Sequence, residues 1–193
     1  MRIRISLLGI ALGLFVLCGH ARAAQKPSIS YIDRGDIGTL DPNRMSWAQD
    51  IRVGQSLYEG IYTIDPVTFD PVLGAADKAI ISDDKKVWTF HIRDNARWSN
   101  GDPVTSADFV FAWRRMLEEP GDYTYLLDQY IQGAKEYEDA YAAYLADRAA
   151  GKQTAKPDFK TVAIEQIDTG TLRVTLKNPC TFFPDLLAFE CYY

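Results

Sequence analysis

Paired acidic residues are the groups in this sequence whose types and spacing come nearest to a catalytic site. Asp33 lies three residues before Asp36, and Asp83 is followed at once by Asp84. Two carboxylates are sufficient for glycoside hydrolysis, in which one acts as the acid and the other as the nucleophile or base. Both pairs lie in polar stretches typical of turns, where carboxylates are usually solvated. A secreted hydrolase is therefore the enzyme-class alternative, and we expect no catalytic residues.

Histidine adds little to this chemistry. The chain has two histidines, His20 and His91, and His20 lies in a predicted leader. His91 lies in the run VWTFHI, whose alternation predicts a half-buried strand with Trp88, Phe90 and Ile92 on one face. We interpret His91 as structural. A histidine-rich metal site is excluded, and we predict neither a metal nor a cofactor.

Two cysteines, Cys180 and Cys191, lie close together near the end of the sequence. An even pair in an exported protein is compatible with a disulfide. Such a bridge would stabilise the protein by about 2–3 kcal/mol if its geometry were unstrained. Two buried free thiols are the equal alternative, so both interpretations stay open.

The first residues predict export. A basic start, an apolar run over 5–17 and the small-x-small step ending at Ala23 are the layout of a signal peptide over 1–23. The apolar run is shorter than the roughly 20 residues that a membrane span needs. Acylation of Cys18 is a minor alternative, because Leu17 stands where a small residue is required. The predicted location is periplasmic or secreted.

Charge argues against nucleic acid as a partner. Removal of the leader takes three arginines from the 21 basic residues and leaves all 26 acidic ones, so 18 against 26 gives a formal charge of −8. A basic surface for a phosphate backbone is therefore not expected.

Strands and helices alternate along the predicted secondary structure, which indicates a mixed α and β class. The predicted strands cover residues 28–32, 61–64, 79–82, 87–92, 162–167 and 171–176, and the predicted helices cover 50–59, 105–119 and 134–150. Turn signals separate these elements, among them Asp-Pro at 65–66 and 70–71.

The stretch NARWSNGDPVTSADFVFAW over 95–113 contains the strongest helix signal. Thr105 is placed as an N-cap, with Asp108 three residues later to complete a capping box. Apolar residues then recur with helical spacing from Phe109 through Trp113. We predict that Trp98 and Trp113 both fill the core, each burying on the order of 200 Å².

Six motifs occur in a fixed order along the chain. They are LDP at 40–42, LYEG at 57–60, WTFHIR at 88–93, WSNGDPVTSADF at 98–109, TLRVTL at 171–176, and Pro179 followed by Phe182-Phe183. In this order they resemble the oligopeptide/dipeptide/nickel family of extracytoplasmic solute-binding proteins, the capture components of ABC importers, and the peptide-binding branch above all. The sequence departs from the family in having Ala79 where a tryptophan is often found, and the two cysteines are not a family signature.

This resemblance implies a mixed α/β fold that forms part of the N-terminal lobe of a two-lobed periplasmic binding protein, with the second lobe absent. Residues 24–58 would begin the first subdomain. Residues 59–193 would form most of a second, smaller subdomain, cut short at its C-terminal end.

The resemblance also implies where a ligand would lie. Peptide-binding members hold an extended peptide largely through main-chain hydrogen bonds. Ser46, Trp47 and Ala48 match the segment beside the peptide, and Tyr123 matches a tyrosine that reaches the ligand. Family members have an acidic residue at the place of Ser46, so its absence affects charge preference. Packing of Trp47 into the core is the competing interpretation.

The implied function is capture of short peptides for import, with the importer's membrane subunits as partners and a monomeric binding protein. Three alternatives remain beside it. A protein of the same fold could bind a nickel chelate, haem or an oligosaccharide. A truncated product would not function, because one incomplete lobe cannot close on a ligand. A secreted hydrolase is the third.

Overall fold

The computed structural model describes Ser28, Ser30, Asp33 and residues 35–193. The predicted signal peptide over 1–23, with Cys18, lies outside the described residues, and so does most of the predicted strand over 28–32. Of the described residues, 35–193 belong to one compact unit. In the part of the chain that the structure describes, every helix is too short or too polar to cross a bilayer.

Helices and strands interleave along the described chain in nearly the predicted order. The helices are a 3-10 turn at Pro42–Arg44, α1 at Ala48–Leu57, α2 at Ser106–Glu118, α3 at Tyr125–Asp128, α4 at Ala134–Ala149, a 3-10 turn at Phe159–Thr161, α5 at Phe183–Leu187 and a 3-10 turn at Glu190–Tyr192. The strands are β1 at Tyr62–Ile64, β2 at Pro71–Leu73, β3 at Ala76–Ile81, β4 at Val87–Ile92, β5 at Ile164–Asp168 and β6 at Thr171–Thr175.

Four of the strands form an antiparallel sheet in the order β3-β4-β6-β5, and β1 with β2 forms a separate hairpin. Along β4 the buried side chains are Trp88, Phe90 and Ile92, as the alternation predicted. Trp88 lies opposite Val174 and Phe90 opposite Leu172 on β6. The apolar face of the sheet therefore comes from two central strands whose side-chain period is two.

Helix α2 begins as the sequence predicted. The Thr105 backbone N–H donates to Asp108 Oδ2 over 2.7 Å, and the Thr105 hydroxyl donates to the same oxygen over 2.8 Å. Phe109, Trp113 and Met116 are buried on one face of the helix. Trp113 is fully buried, its Nε1 donates to the Tyr192 carbonyl over 2.9 Å, and its ring lies 5.5 Å from that of Tyr192. Trp113 thereby joins α2 to the C-terminal segment.

The prediction that Trp98 fills the core is wrong. Its side chain is 46% exposed, because it lies in a turn beyond the end of β4. The Trp98 N–H donates to the Asp102 carbonyl over 2.8 Å, and the Gly101 N–H donates to the Trp98 carbonyl over 2.9 Å. These bonds close the turn away from the sheet. Phe111 is also outside the core, 69% exposed on the outer face of α2.

Cys180 and Cys191 are separate, buried thiols. The bridge that the sequence left open is therefore not formed here. Cys180 precedes α5 beside Tyr130 and Phe182, whereas Cys191 lies in the last 3-10 turn, where its carbonyl accepts from Asn43 Nδ2 over 3.1 Å. Burial raises the pKa of both thiols, so neither is an activated thiolate.

The β1–β2 hairpin contains a residue in an unfavourable backbone conformation. Phe69 has φ +62° and its side chain is exposed, so burial does not offset the steric cost of a left-handed conformation. Phe69→Asn is expected to stabilise the protein by about 0.5–1 kcal/mol, since asparagine tolerates this conformation. Chemical denaturation measures the change. Val67→Asn, at an equally exposed position with ordinary φ, is the control and is expected to leave stability unchanged.

Candidate functional site

Two of the residues considered for catalytic chemistry, Asp84 and His91, make contacts within the sheet and its turn. Asp84 closes the turn between β3 and β4, accepting from the Ser82 hydroxyl over 2.5 Å and from the Lys86 N–H over 3.1 Å. These bonds lower the pKa of Asp84. His91 Nδ1 lies 2.8 Å from Asp77 Oδ1 on the exposed face of the sheet. That carboxylate raises the pKa of His91.

The predicted site is built on the segment 41–46, which is fixed by an ion pair and a buried amide. The two terminal guanidinium nitrogens of Arg115 on α2 donate to the Asp41 carboxylate, Nη1 over 2.8 Å. Arg115 lowers the pKa of Asp41. The buried Asn43 side chain donates to the Cys191 carbonyl. Gly121 also packs against this segment: a Cβ at Gly121 would lie 2.3 Å from the Asn43 carbonyl oxygen.

Ser46 joins this segment to the turn that precedes Tyr123. The Ser46 hydroxyl donates to Asp122 Oδ2 over 2.5 Å. Because Trp47 follows Ser46 and Tyr123 follows Asp122, this bond places the two predicted ligand-contacting segments side by side. The structure thus brings together residues 76 positions apart in the sequence.

Trp47 stands at the N-cap of α1 with 69% of its side chain exposed. Its carbonyl accepts the first helical hydrogen bond, from the Ile51 N–H over 3.0 Å. Ala48 is the first residue of α1 and is also exposed. The competing interpretation, in which Trp47 packs into the core, is therefore wrong for this unit.

Tyr123 is half-buried and rests on a second aromatic ring. Its ring centroid lies 4.8 Å from that of Phe189 in an edge-to-face arrangement, and 6.4 Å from that of Tyr125. Burial raises the pKa of the Tyr123 hydroxyl, and the nearby Glu190 charge raises it further. Tyr123 is thus a neutral hydroxyl on a supported ring, able to donate and accept a hydrogen bond at the surface.

The comparisons with known proteins identify the family. The model of the bacterial extracellular solute-binding proteins, family 5 Middle, matches residues 70–190, more than half of the chain. The chain belongs to this family. The resemblance drawn from the six motifs is confirmed.

Curated relatives resemble this chain in sequence, and solved structures resemble it in fold. The periplasmic oligopeptide-binding protein OppA of Salmonella typhimurium is 33% identical over 164 residues, which are 85% of this chain and 28% of that protein. The substrate-binding domain of an oligopeptide ABC transporter from Bacillus anthracis superposes with a TM-score of 0.72 at 28% identity, over 84% of this chain and 29% of that one. Listeria monocytogenes OppA bound to peptide gives 0.64 at 32% identity, over 81% and 28%.

The chain spans less than a third of the length of these relatives. It corresponds to part of their two-lobed fold, and the predicted mixed α and β class is confirmed. The boundary predicted near residue 58 stays a prediction.

Four residues close to the predicted ligand-binding residues were not predicted from the sequence, which are Asp122, Tyr125, Phe189 and Glu190. Tyr125 could have been found from the sequence, because it is a second tyrosine separated from Tyr123 by one residue, Thr124. Asp122 directly precedes Tyr123, but only its long-range contact with Ser46 shows a role at this surface. Phe189 and Glu190 had no local signal, since their proximity to Tyr123 depends on contacts between distant segments. Glu190 is fully buried, and neither of its carboxylate oxygens has a hydrogen-bond partner among the described residues. Burial raises its pKa.

A concave surface lies elsewhere on the unit, between the end of α1 and the outer face of α2. Its volume is about 690 Å³, which is within the range of small-molecule sites. Leu57, Trp98 and Phe111 line it together with Arg93 and Arg97. It shares no residue with the surface formed by Trp47 and Tyr123.

The described residues contain no group of three or more His, Cys, Asp or Glu side chains suited to a metal ion. They do contain a close pair of acids. Glu138 on α4 faces Asp128 at the end of α3, and both have an oxygen that is buried without a partner. Burial and the neighbouring Asp128 carboxyl together raise the pKa of Glu138 to about 7. A second carboxyl close by in a buried position disfavours the charged form of Glu138.

This acid pair predicts a loss of stability as the pH rises. Folded Glu138 binds its proton more tightly than an unfolded glutamate does, so its contribution is complete below pH 4.5 and is lost as the pH rises to about 7. His91 and Glu190, whose pKa values are also raised, act with the same sign. Glu138→Gln is expected to make the melting temperature depend less steeply on pH between 4.5 and about 7.

Differential scanning calorimetry of the wild type and the variant at several pH values measures this difference. Glu136→Gln, which changes an exposed carboxylate two residues away on α4, is the control and should keep the wild-type slope. An unchanged slope in Glu138→Gln would contradict the assignment.

Proposed function

We propose that this chain forms one wall of the peptide-binding cleft of a periplasmic solute-binding protein that serves an ABC importer. Relatives named as oligopeptide-binding, and one solved with bound peptide, support this proposal. The observation on which it depends is the Ser46–Asp122 hydrogen bond, which sets exposed Trp47 beside the segment of Tyr123. In this proposal residues 24–58 begin the first subdomain, residues 59–193 form most of the second, and residues 1–23 direct export.

Two aromatic side chains on one surface suit a ligand of variable sequence. Trp47 and Tyr123 offer flat apolar area with little conformational entropy to lose, and the Tyr123 hydroxyl can pair with a peptide N–H or C=O. An extended peptide satisfies its remaining main-chain groups by adding to the cleft as a strand does. Binding of this kind orders a backbone and breaks no bond, so we assign the protein no enzymatic activity.

Charge preference follows from Asp122. The family's acidic residue at the place of Ser46 is missing here, but the Asp122 carboxylate lies 2.5 Å from the Ser46 hydroxyl. A negative charge is therefore present beside that position although the sequence places it 76 residues away. We expect peptides with a basic side chain or a free amine at this point to bind better than acidic ones.

Trp47→Ala tests the surface. Binding of a pool of mixed tri- to pentapeptides to the purified protein is followed by NMR, with shifts expected at the Trp47 indole and around Tyr123. Because only one wall is present in this chain, we expect weak binding, without nanomolar affinity. Trp47→Ala is expected to lower the affinity about tenfold or more, as for an exposed aromatic that becomes buried on binding.

Phe111→Ala is the matched control, because Phe111 is also 69% exposed but lies on the outer face of α2. It should leave peptide binding unchanged. Equal losses in both variants, or shifts that avoid residues 46–48 and 122–125, would contradict the proposed surface. Nanomolar binding of peptide by this chain would contradict the proposal that these residues supply only one wall of the cleft.

A further inference from the structure

The groove between α1 and α2 has apolar walls that no other part of the described unit covers. Leu57 is 58% exposed, and Trp98 and Phe111 are exposed beside it. Three large apolar side chains around one concavity of about 690 Å³ are more than scattered surface hydrophobics. Such walls favour an apolar body inserted between them.

The two acidic side chains of the groove both have hydrogen-bond partners within the unit. Glu59 accepts from the Arg93 guanidinium. Asp108 accepts from the backbone N–H and the hydroxyl of Thr105 in the capping box of α2. The charge of Glu59 is therefore neutralised by Arg93, and Asp108 is directed to the N-terminus of α2, where the helix dipole favours a negative charge.

The two basic side chains of the groove, Arg93 and Arg97, have guanidinium N–H donors that are not used in hydrogen bonds. Arg97 donates through one guanidinium nitrogen to the carbonyls of Asp94 and Ala96, over 2.8 and 2.7 Å, and no carboxylate of the described residues forms an ion pair with it. Arg93 Nε is buried without a hydrogen-bond partner in that part of the chain. Arg97 thus places an unneutralised guanidinium, with donors to spare, at the edge of the apolar walls.

We propose that this groove binds a small amphipathic carboxylate, with a linear apolar chain against Leu57, Trp98 and Phe111 and its carboxylate on Arg97. The complementarity is between one free positive charge and one negative head group, with the apolar chain removed from water. The site is separate from the peptide-binding surface and does not depend on it.

Three ligands with the same chain and different head groups test the proposal: octanoate, octanol and octylammonium, each below its micellar concentration. Binding to the purified protein is measured by calorimetry and by the shift of the Trp98 indole N–H resonance, assigned through its loss in Trp98→Phe. Octanoate is expected to bind about tenfold more tightly than octanol, the scale of a charge-assisted hydrogen bond, and octylammonium more weakly than either.

The variants separate the two parts of the site. Arg97→Gln should abolish the advantage of octanoate over octanol, whereas Arg97→Lys, which keeps the charge, should retain most of it. Phe111→Ala should weaken octanoate and octanol alike. Trp47→Ala, on the peptide-binding surface, should change neither. A melting curve for each variant confirms that it is folded.

Equal affinity for octanoate and octanol, or an unchanged preference in Arg97→Gln, would overturn the assignment of the carboxylate to Arg97. Shifts at the Trp47 indole without shifts at Trp98, or no binding at millimolar octanoate, would overturn the site itself.

Discussion

Trp113→Ala is expected to lower the free energy of unfolding by about 4 kcal/mol, within the range for removing a large aromatic from a core. The side chain is fully buried, it packs edge-to-face against Phe109 and Tyr192, and its Nε1–H satisfies the Tyr192 carbonyl. The substitution therefore opens a cavity and leaves a buried carbonyl unpaired at once. Urea denaturation followed by circular dichroism measures the loss, and Trp113→Phe gives a smaller, measurable loss if the alanine variant does not fold.

Trp98→Ala is the control for this prediction, because it removes the same side chain 15 residues earlier in the same stretch. Trp98 is half-exposed and its hydrogen bonds in the turn come from the backbone. We expect a loss of about 1 kcal/mol or less, as for surface substitutions. Similar losses for the two tryptophans would contradict the placement of Trp98 outside the core.

Gly133→Ala is expected to destabilise the protein by about 3–4 kcal/mol, the sum of a left-handed backbone penalty and a steric overlap. Gly133 precedes α4 with φ +78°, and a Cβ there would lie 2.1 Å from the Thr161 carbonyl oxygen. That oxygen belongs to the backbone, so it cannot move aside without displacing the chain before β5. Thermal and urea denaturation measure the change.

Gly151→Ala isolates the backbone part of this penalty. Gly151 follows α4 with φ +75°, and the space around its Cβ position is open to at least 4 Å. Only the left-handed conformation is then unfavourable, so we expect a loss of about 1 kcal/mol. If the two glycine variants lost equal stability, the close approach of Gly133 to Thr161 would be wrong.

The LDP motif, one of the six that indicated the family, positions its segment through contacts with distant residues. Asp41 caps the 3-10 turn by accepting from the Asn43 N–H over 3.2 Å and also binds Arg115 on α2. Through it the segment that leads to Ser46 and Trp47 is held against the remainder of the unit. The motif thus positions the candidate site without belonging to it.

Local patterns determined most of the elements of this protein. The capping box at Thr105 and Asp108, the period of two in β4 and the paired strands around Gly170 depend on near neighbours in the chain, and each was predicted correctly. The order of these elements, with the motifs inside them, was sufficient to indicate the family.

Only the tertiary structure decided which aromatic residues are buried and which residues meet at the surface. Trp98 and Trp113 are the same residue type within one stretch of 19 residues, yet a turn leaves the first half-exposed and a helix face directs the second into the core. Asp122 reaches Ser46, and Glu190 lies behind Tyr123, through contacts across more than 60 residues. Such contacts depend on how whole elements pack, and packing responds to the summed burial of many side chains, which no local spacing encodes.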